Sequence, residues 1–173
     1  MLFKGTGGVY ALGTAPRTDN VRALLMYEPA LQFGKGSEAA ESFAEMMSLL
    51  DAGKDEAALL VALEDLAHLS SEEIDLIQSS PLWQEQVELI HTVPWEFEAI
   101  GEYEFDPDQF SNVTTPTLSI TGSESARPYN EGIAWSKHAL ANAQVAPIEG
   151  HRHIGLATAA ERFLDGVITF AGE

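Results

Sequence analysis

Apolar and polar positions change their period several times along the chain. VRALLMY, from Val21 to Tyr27, is an almost continuous apolar run suited to a strand covered on both faces, and Glu28 with Pro29 ends it. Ahead of it, Leu2 and Phe3 read as the end of a strand, Gly5 to Gly8 as a tight turn, and Val9 to Thr14 as a helix interrupted near Pro16. From Ala30 to about Gly101 the spacing is helical. Phe43, Met46, Met47 and Leu50 share one stripe, and Ala57, Leu60, Val61 and Glu64 another running on into Leu66, with the breaker DAGKD between them. Ser70 and Glu73 stand in capping-box spacing before Ile74 and Ile77, and Trp83, Val87 and Ile90 keep the period after Pro81.

A second apolar run, Thr117 to Thr121, follows the turn residues Asp106, Pro107 and Asp108 and is broken by Gly122. Tyr129 to Ala141 places Ile133, Ala134, Lys137 and Leu140 on one helical face, with Asn142 as its stop. Val145 to Ile148 reads as a further strand. A helix then opens with Thr158 and Glu161 in capping-box spacing and carries Phe163, Leu164, Val167 and Phe170 on its apolar face. These elements predict an α/β fold, a small mostly parallel sheet flanked by helices, with the core made of residues 1–29 and 102–173 and a helical cap inserted at 30–101. Strand, helix and strand with short links form a right-handed βαβ unit, which brings the loops holding Glu124 and His153 to one carboxyl edge of the sheet. A carboxylate on an imidazole N–H fixes its tautomer and leaves the other ring nitrogen to act as a base, which makes Glu124 and His153 two-thirds of a hydrolytic triad.

Composition narrows the partners. The 173 residues hold 27 acidic and 9 basic side chains, a formal charge of −18, which repels phosphate backbones and anionic membrane surfaces. No nucleic acid and no membrane partner is therefore expected. The acidic residues are spread along the chain, and lysine occurs only at positions 4, 35, 54 and 137; a high-salt cytoplasm and an ordinary acidic protein both remain open as the setting. No cysteine occurs, which excludes thiol chemistry, and without a secretory pattern or a bilayer-length apolar segment the expected location is cytoplasmic. His68 and His91 lack metal-ligand spacing, the HRH of His151 to His153 turns its rings apart if extended, and neither a metal nor a cofactor is expected. The cap's Met, Phe and Trp residues read either as internal packing or as the lining of a pocket for a small apolar, ester-like molecule. KGTGG lacks the Lys-Ser/Thr pair that a phosphate-binding loop requires.

VRALLMYEP, a helical insertion, FDPDQFSNVTTPTLSITGSES and GHRHIGLATAAERFLDGVITF together resemble the C-terminal half of α/β-hydrolase fold proteins, over nearly the whole chain. The resemblance implies a partial α/β-hydrolase fold, with the triad acid at Glu124 after PTLSITG and the triad histidine at His153 in its G-x-x-H turn. FKGTGGVYAL resembles the nucleophile elbow, normally G-x-S-x-G, and that register puts Gly5 at the nucleophile position and Phe3 at the first glycine. Thr6 then supplies an oxyanion N–H or serves as an irregular nucleophile. The implied activity is that of an ester or amide hydrolase that keeps acid and base but lacks the serine, weak or inactive in turnover. The alternative is a non-catalytic binder of a small apolar ligand, or a gene fragment. With the family's earlier strands missing, the chain reads as truncated, and its exposed strand edge points to a homodimer or to a complex with a separate N-terminal half.

Overall fold

The structure, a computed structural model, describes residues 2–31, 37–102 and 105–172. Met1, first residue of the expected strand stub, and Lys35 lie outside the described residues. The chain divides into two compact units, Met1–Gln32 with Glu104–Glu173, and Phe33–Tyr103.

The first unit is built on four parallel strands in the order of the chain: β1 (Leu2–Lys4), β2 (Leu24–Tyr27), β3 (Thr117–Gly122) and β4 (Ala143–Ile148). Register pairs Lys4 with Tyr27, Tyr27 with Ile120, and Ile120 with Ala146, so all four strands point the same way and end near one another. β2 is shorter than the expected Val21–Tyr27, because Val21 to Ala23 make no ladder, and β4 starts earlier than expected, at Ala143.

Every residue of β2 is buried, which explains its unbroken apolar run. Leu25, Tyr27, Leu118, Ile120 and Ile148 pack against Phe163 and Phe170 of α9 (Ala160–Ala171). The opposite face is met by α1 (Gly5–Thr14), whose Gly8 comes against Met26. The expected turn at Gly5 to Gly8 is instead the first turn of α1, since the chain passes from strand to helix with no intervening loop. α7 (Arg127–Ala139) lies along β3 and β4 and buries Tyr129, Gly132, Ile133, Ser136 and Ala139. Ala134 and Lys137, expected on its inner face, are exposed. The small residues Gly132 and Ser136 take those inner positions, and the Ser136 hydroxyl is satisfied by the carbonyl of Gly132 at 2.9 Å.

α9 lacks the expected cap. Thr158 belongs to the short α8 (Gly155–Thr158), and its hydroxyl bonds the ring of His151 at 2.9 Å, while Ala159 precedes α9 without a side-chain cap. Leu164, expected inward, is exposed.

The second unit is helical: α2 (Ser37–Asp51), α3 (Asp55–Val61), a π turn at Ala62–Leu66, α4 (Ser71–Gln78), α5 (Trp83–Leu89) and α6 (Val93–Glu102). Its core joins Met46, Ala58, Leu59, Ala62, Leu66 and Ile90. The buried face of α3 is thus one residue out of phase with the expected Ala57, Leu60 and Val61. Ser70 and Glu73 form the capping box, each bonding the other's backbone N–H. Met46 is fully buried and Phe43 stacks on Phe97 at 5.3 Å, so these side chains serve internal packing.

Candidate functional site

Parallel strands concentrate their carboxyl ends at one edge, and here every strand delivers a residue to it. Gly5 follows β1, Glu28 follows β2, Thr121 and Gly122 close β3, and His153 lies in the loop after β4.

Glu28 organises the edge. Its side chain is fully buried, and its backbone holds φ +46°, an uncommon left-handed conformation for a residue with a Cβ. Such strain persists only where the surroundings enforce it. One carboxylate oxygen accepts the Gly122 N–H at 2.8 Å and the Thr121 hydroxyl at 3.0 Å. The other meets His153 Nδ1 at 2.7 Å. A carboxylate only accepts, so Nδ1 carries the proton and Nε2 is the nitrogen left to act as acceptor. Burial pushes the Glu28 carboxyl up, but the hydrogen bond from His153, the nearby Ser125 hydroxyl, the Gly122 N–H and the charge of His153 outweigh it, and the carboxyl ends below its ordinary value. Ser125 Oγ is buried without a hydrogen bond of good geometry, so its part in this is a near contact with the carboxylate.

The imidazole is held on its faces as well as at its edge. Tyr129 of α7 stacks on it with ring centres 4.2 Å apart and planes 10° apart. Tyr27 holds the loop itself: its hydroxyl donates to the Arg152 carbonyl at 2.6 Å and accepts the Gly155 N–H at 3.0 Å, bracketing His153. The loop also crosses the end of β3 at backbone distance, and there a Cβ on Gly122 would collide with the His151 carbonyl.

The structure therefore pairs His153 with Glu28, not with the expected Glu124. Glu124 is exposed, and it meets the histidine loop through its backbone, its N–H donating to the His151 carbonyl at 3.0 Å. Loop placement alone could not separate the two acids. Glu28 had a signal of its own: a carboxylate directly after the most apolar strand, at the end of a sheet that its neighbours share. His151 and His153 bond different partners, Thr158 and Glu28.

Gly5 stands where β1 runs straight into α1, with φ +52° and open space for 4 Å around the position a Cβ would take. A strand turned sharply into a helix is the geometry that exposes an elbow residue. Thr6, the next residue, lies inside the first turn of α1, where backbone N–H groups point out of the helix end. Gly5 is tied to the acid's segment, its carbonyl accepting the Ala30 N–H at 3.3 Å. A separate cleft of about 460 Å³, lined by Thr18, Asp19, Asn112 and Thr114 among others, lies toward the opposite, amino-terminal end of β3.

No protein-family model matches the sequence, and no curated protein sequence matches it. Solved structures match its shape. The enol-lactonase from Burkholderia xenovorans LB400 superposes with a TM-score of 0.74 at 17% identity, over 99% of this chain and 65% of that one. The fold is that of the α/β hydrolases. An α/β hydrolase from Sphaerobacter thermophilus gives 0.71 at 17% identity over 94% of this chain and 66% of its own. MGS-M2, an α/β hydrolase from a Medee basin deep-sea metagenome library, gives 0.71 at 16% over 99% and 64%. The chain thus spans slightly less than two thirds of the length of these α/β hydrolases. Its four parallel strands bring Gly5, Glu28 and His153 to one carboxyl edge of the sheet. Among the described residues no helix is long and apolar enough to cross a membrane.

Proposed function

We propose that this chain is of the ester or amide hydrolase lineage and carries a general-base pair, His153 oriented by Glu28, with no nucleophilic side chain at the elbow position, Gly5. The observation that carries the reading is the 2.7 Å bond between His153 Nδ1 and the buried Glu28 carboxylate, at the same sheet edge as the positive-φ Gly5. Glu28 holds the imidazole in one tautomer and stabilises its charged form, and Nε2 exchanges the proton. Thr6 contributes a backbone N–H at the helix end toward developing negative charge on a carbonyl oxygen. Glycine at the elbow closes the acyl-enzyme route, because no side-chain oxygen or sulfur is there to form the ester.

Restoring a hydroxyl tests the reading. Gly5→Ser has room for its side chain, at a backbone cost of about 1–3 kcal/mol for a non-glycine residue at this φ. The variant is expected to be labelled by a fluorophosphonate and to hydrolyse p-nitrophenyl esters, with both activities lost on adding His153→Ala. A folded Gly5→Ser protein that takes no label would overturn the assignment of the elbow and its base.

A further inference from the structure

We infer that the wild-type chain hydrolyses small, uncharged, activated esters by direct attack of water, with the water standing where Gly5 lacks a side chain and no covalent intermediate forming. The inference rests on the reading of His153 as a base.

Three observations lead there. Apart from its own chain neighbours and helix backbone, no described atom lies within 4 Å of the place a Cβ on Gly5 would take, and the missing hydroxymethyl group occupies about the volume of a water molecule, roughly 30 Å³. Gly5 also lies beside the segment that carries Glu28. Register matches Lys4 with Tyr27, so Gly5 and Glu28 each follow directly on a paired strand end, and the Gly5 carbonyl accepts the Ala30 N–H at 3.3 Å. Finally, the machinery around His153 is costly to keep: a buried carboxylate, a left-handed glutamate, a stacked tyrosine and a doubly bonded Tyr27 hydroxyl all fix one ring. A ring so fixed is poised to move a proton, and the small molecule next to it that can lose one is water.

The step balances without another reactant. The water oxygen bonds the ester carbonyl carbon while its proton passes to His153 Nε2, and the carbonyl electron pair moves onto oxygen, facing the Thr6 N–H. When the carbonyl reforms, the bond to the alkoxy group breaks and the leaving oxygen takes the proton back from Nε2, which releases acid and alcohol. The substrate is uncharged because a net charge of −18 repels anionic esters, and it carries a good leaving group because water is a poorer nucleophile than an activated serine.

The test uses the full chain with p-nitrophenyl acetate. Expected are turnover above buffer, no initial burst, no acetyl adduct by intact mass, and a solvent deuterium effect. The rate should fall about 100-fold in His153→Ala. Gly5→Ala, which fills the water's place while keeping the base pair, should also slow it, and Glu124→Ala should not. Gly5→Ser should show a burst and an acetyl adduct. Equal rates in wild type and His153→Ala overturn the inference, as does an acetyl adduct on the wild type. The outcomes separate the two proposals: an inert wild type with a fluorophosphonate-labelled Gly5→Ser removes direct water attack and leaves the base pair standing, whereas an unlabelled Gly5→Ser removes both.

Discussion

Replacing Glu28 by alanine asks the most of the structure. The substitution strips the acceptor from the Gly122 N–H at 2.8 Å and from His153 Nδ1 at 2.7 Å, in a spot where the glutamate has 0% exposure. Thr121 suffers less, because its hydroxyl keeps the Gly122 carbonyl at 3.3 Å. A stranded buried donor costs about 1–3 kcal/mol, and the substitution strands two. The expected loss is about 4 kcal/mol, a large part of the roughly 5–15 kcal/mol that holds an ordinary domain. Urea denaturation followed by circular dichroism would read it as a midpoint lower by about 2 M, for a slope of about 2 kcal/mol per M. Glu124→Ala, at an exposed side chain, should stay within about 0.5 kcal/mol of wild type. The reverse order, with Glu124→Ala costly and Glu28→Ala neutral, would refute the pairing of His153 with Glu28.

The same carboxylate sets a pH response. Its folded value lies below the ordinary 4.5, so its contribution is complete at neutral pH and is lost as pH falls below about 4.5 through the lower folded value; acid denaturation should be shallower in Glu28→Gln. Gly122→Ala drives a Cβ into the His151 carbonyl and should cost about 2–3 kcal/mol in denaturation while displacing the histidine loop, seen as a shifted His153 ring resonance. Ser70→Ala removes the cap of α4 and should cost about 1 kcal/mol by the same assay, with no effect on His153.

The sheet was legible because apolar runs bounded by Gly and Pro are a tertiary signal written locally. VRALLMY and TLSIT read as strands, the first in its second half only, and the crossover rule correctly made the strands around α7 parallel. Helical phase was less legible. In α3 and α7 small residues and a serine occupy buried positions, so hydrophobicity alone placed part of each stripe about one residue off, although Ile133 and Leu140 are buried as expected. The acid was misplaced for a different reason. Glu28 and Glu124 both follow strands and both reach the edge shared with His153; what separates them is a backbone twist at Glu28 that turns its side chain inward, and no residue type announces that twist. Thr158 misled in the same way: its spacing to Glu161 satisfies a capping box, but the loop offered its hydroxyl a histidine instead.

The bond from Glu28 to His153 joins residues 125 positions apart, and the one from Glu28 to Gly122 closes a span of 94. Nothing local can assemble this site, so it appears only when the strand ends have already met, late in any folding sequence governed by loop closure. Most of the span between Glu28 and Gly122 is the helical unit. Once folded, that unit takes most of the free chain out of the loop, and each halving of effective loop length saves about 0.6 kcal/mol of closure entropy. Substitutions in its core, at Met46 or Leu59, should therefore slow formation of the Glu28–His153 pair without touching it.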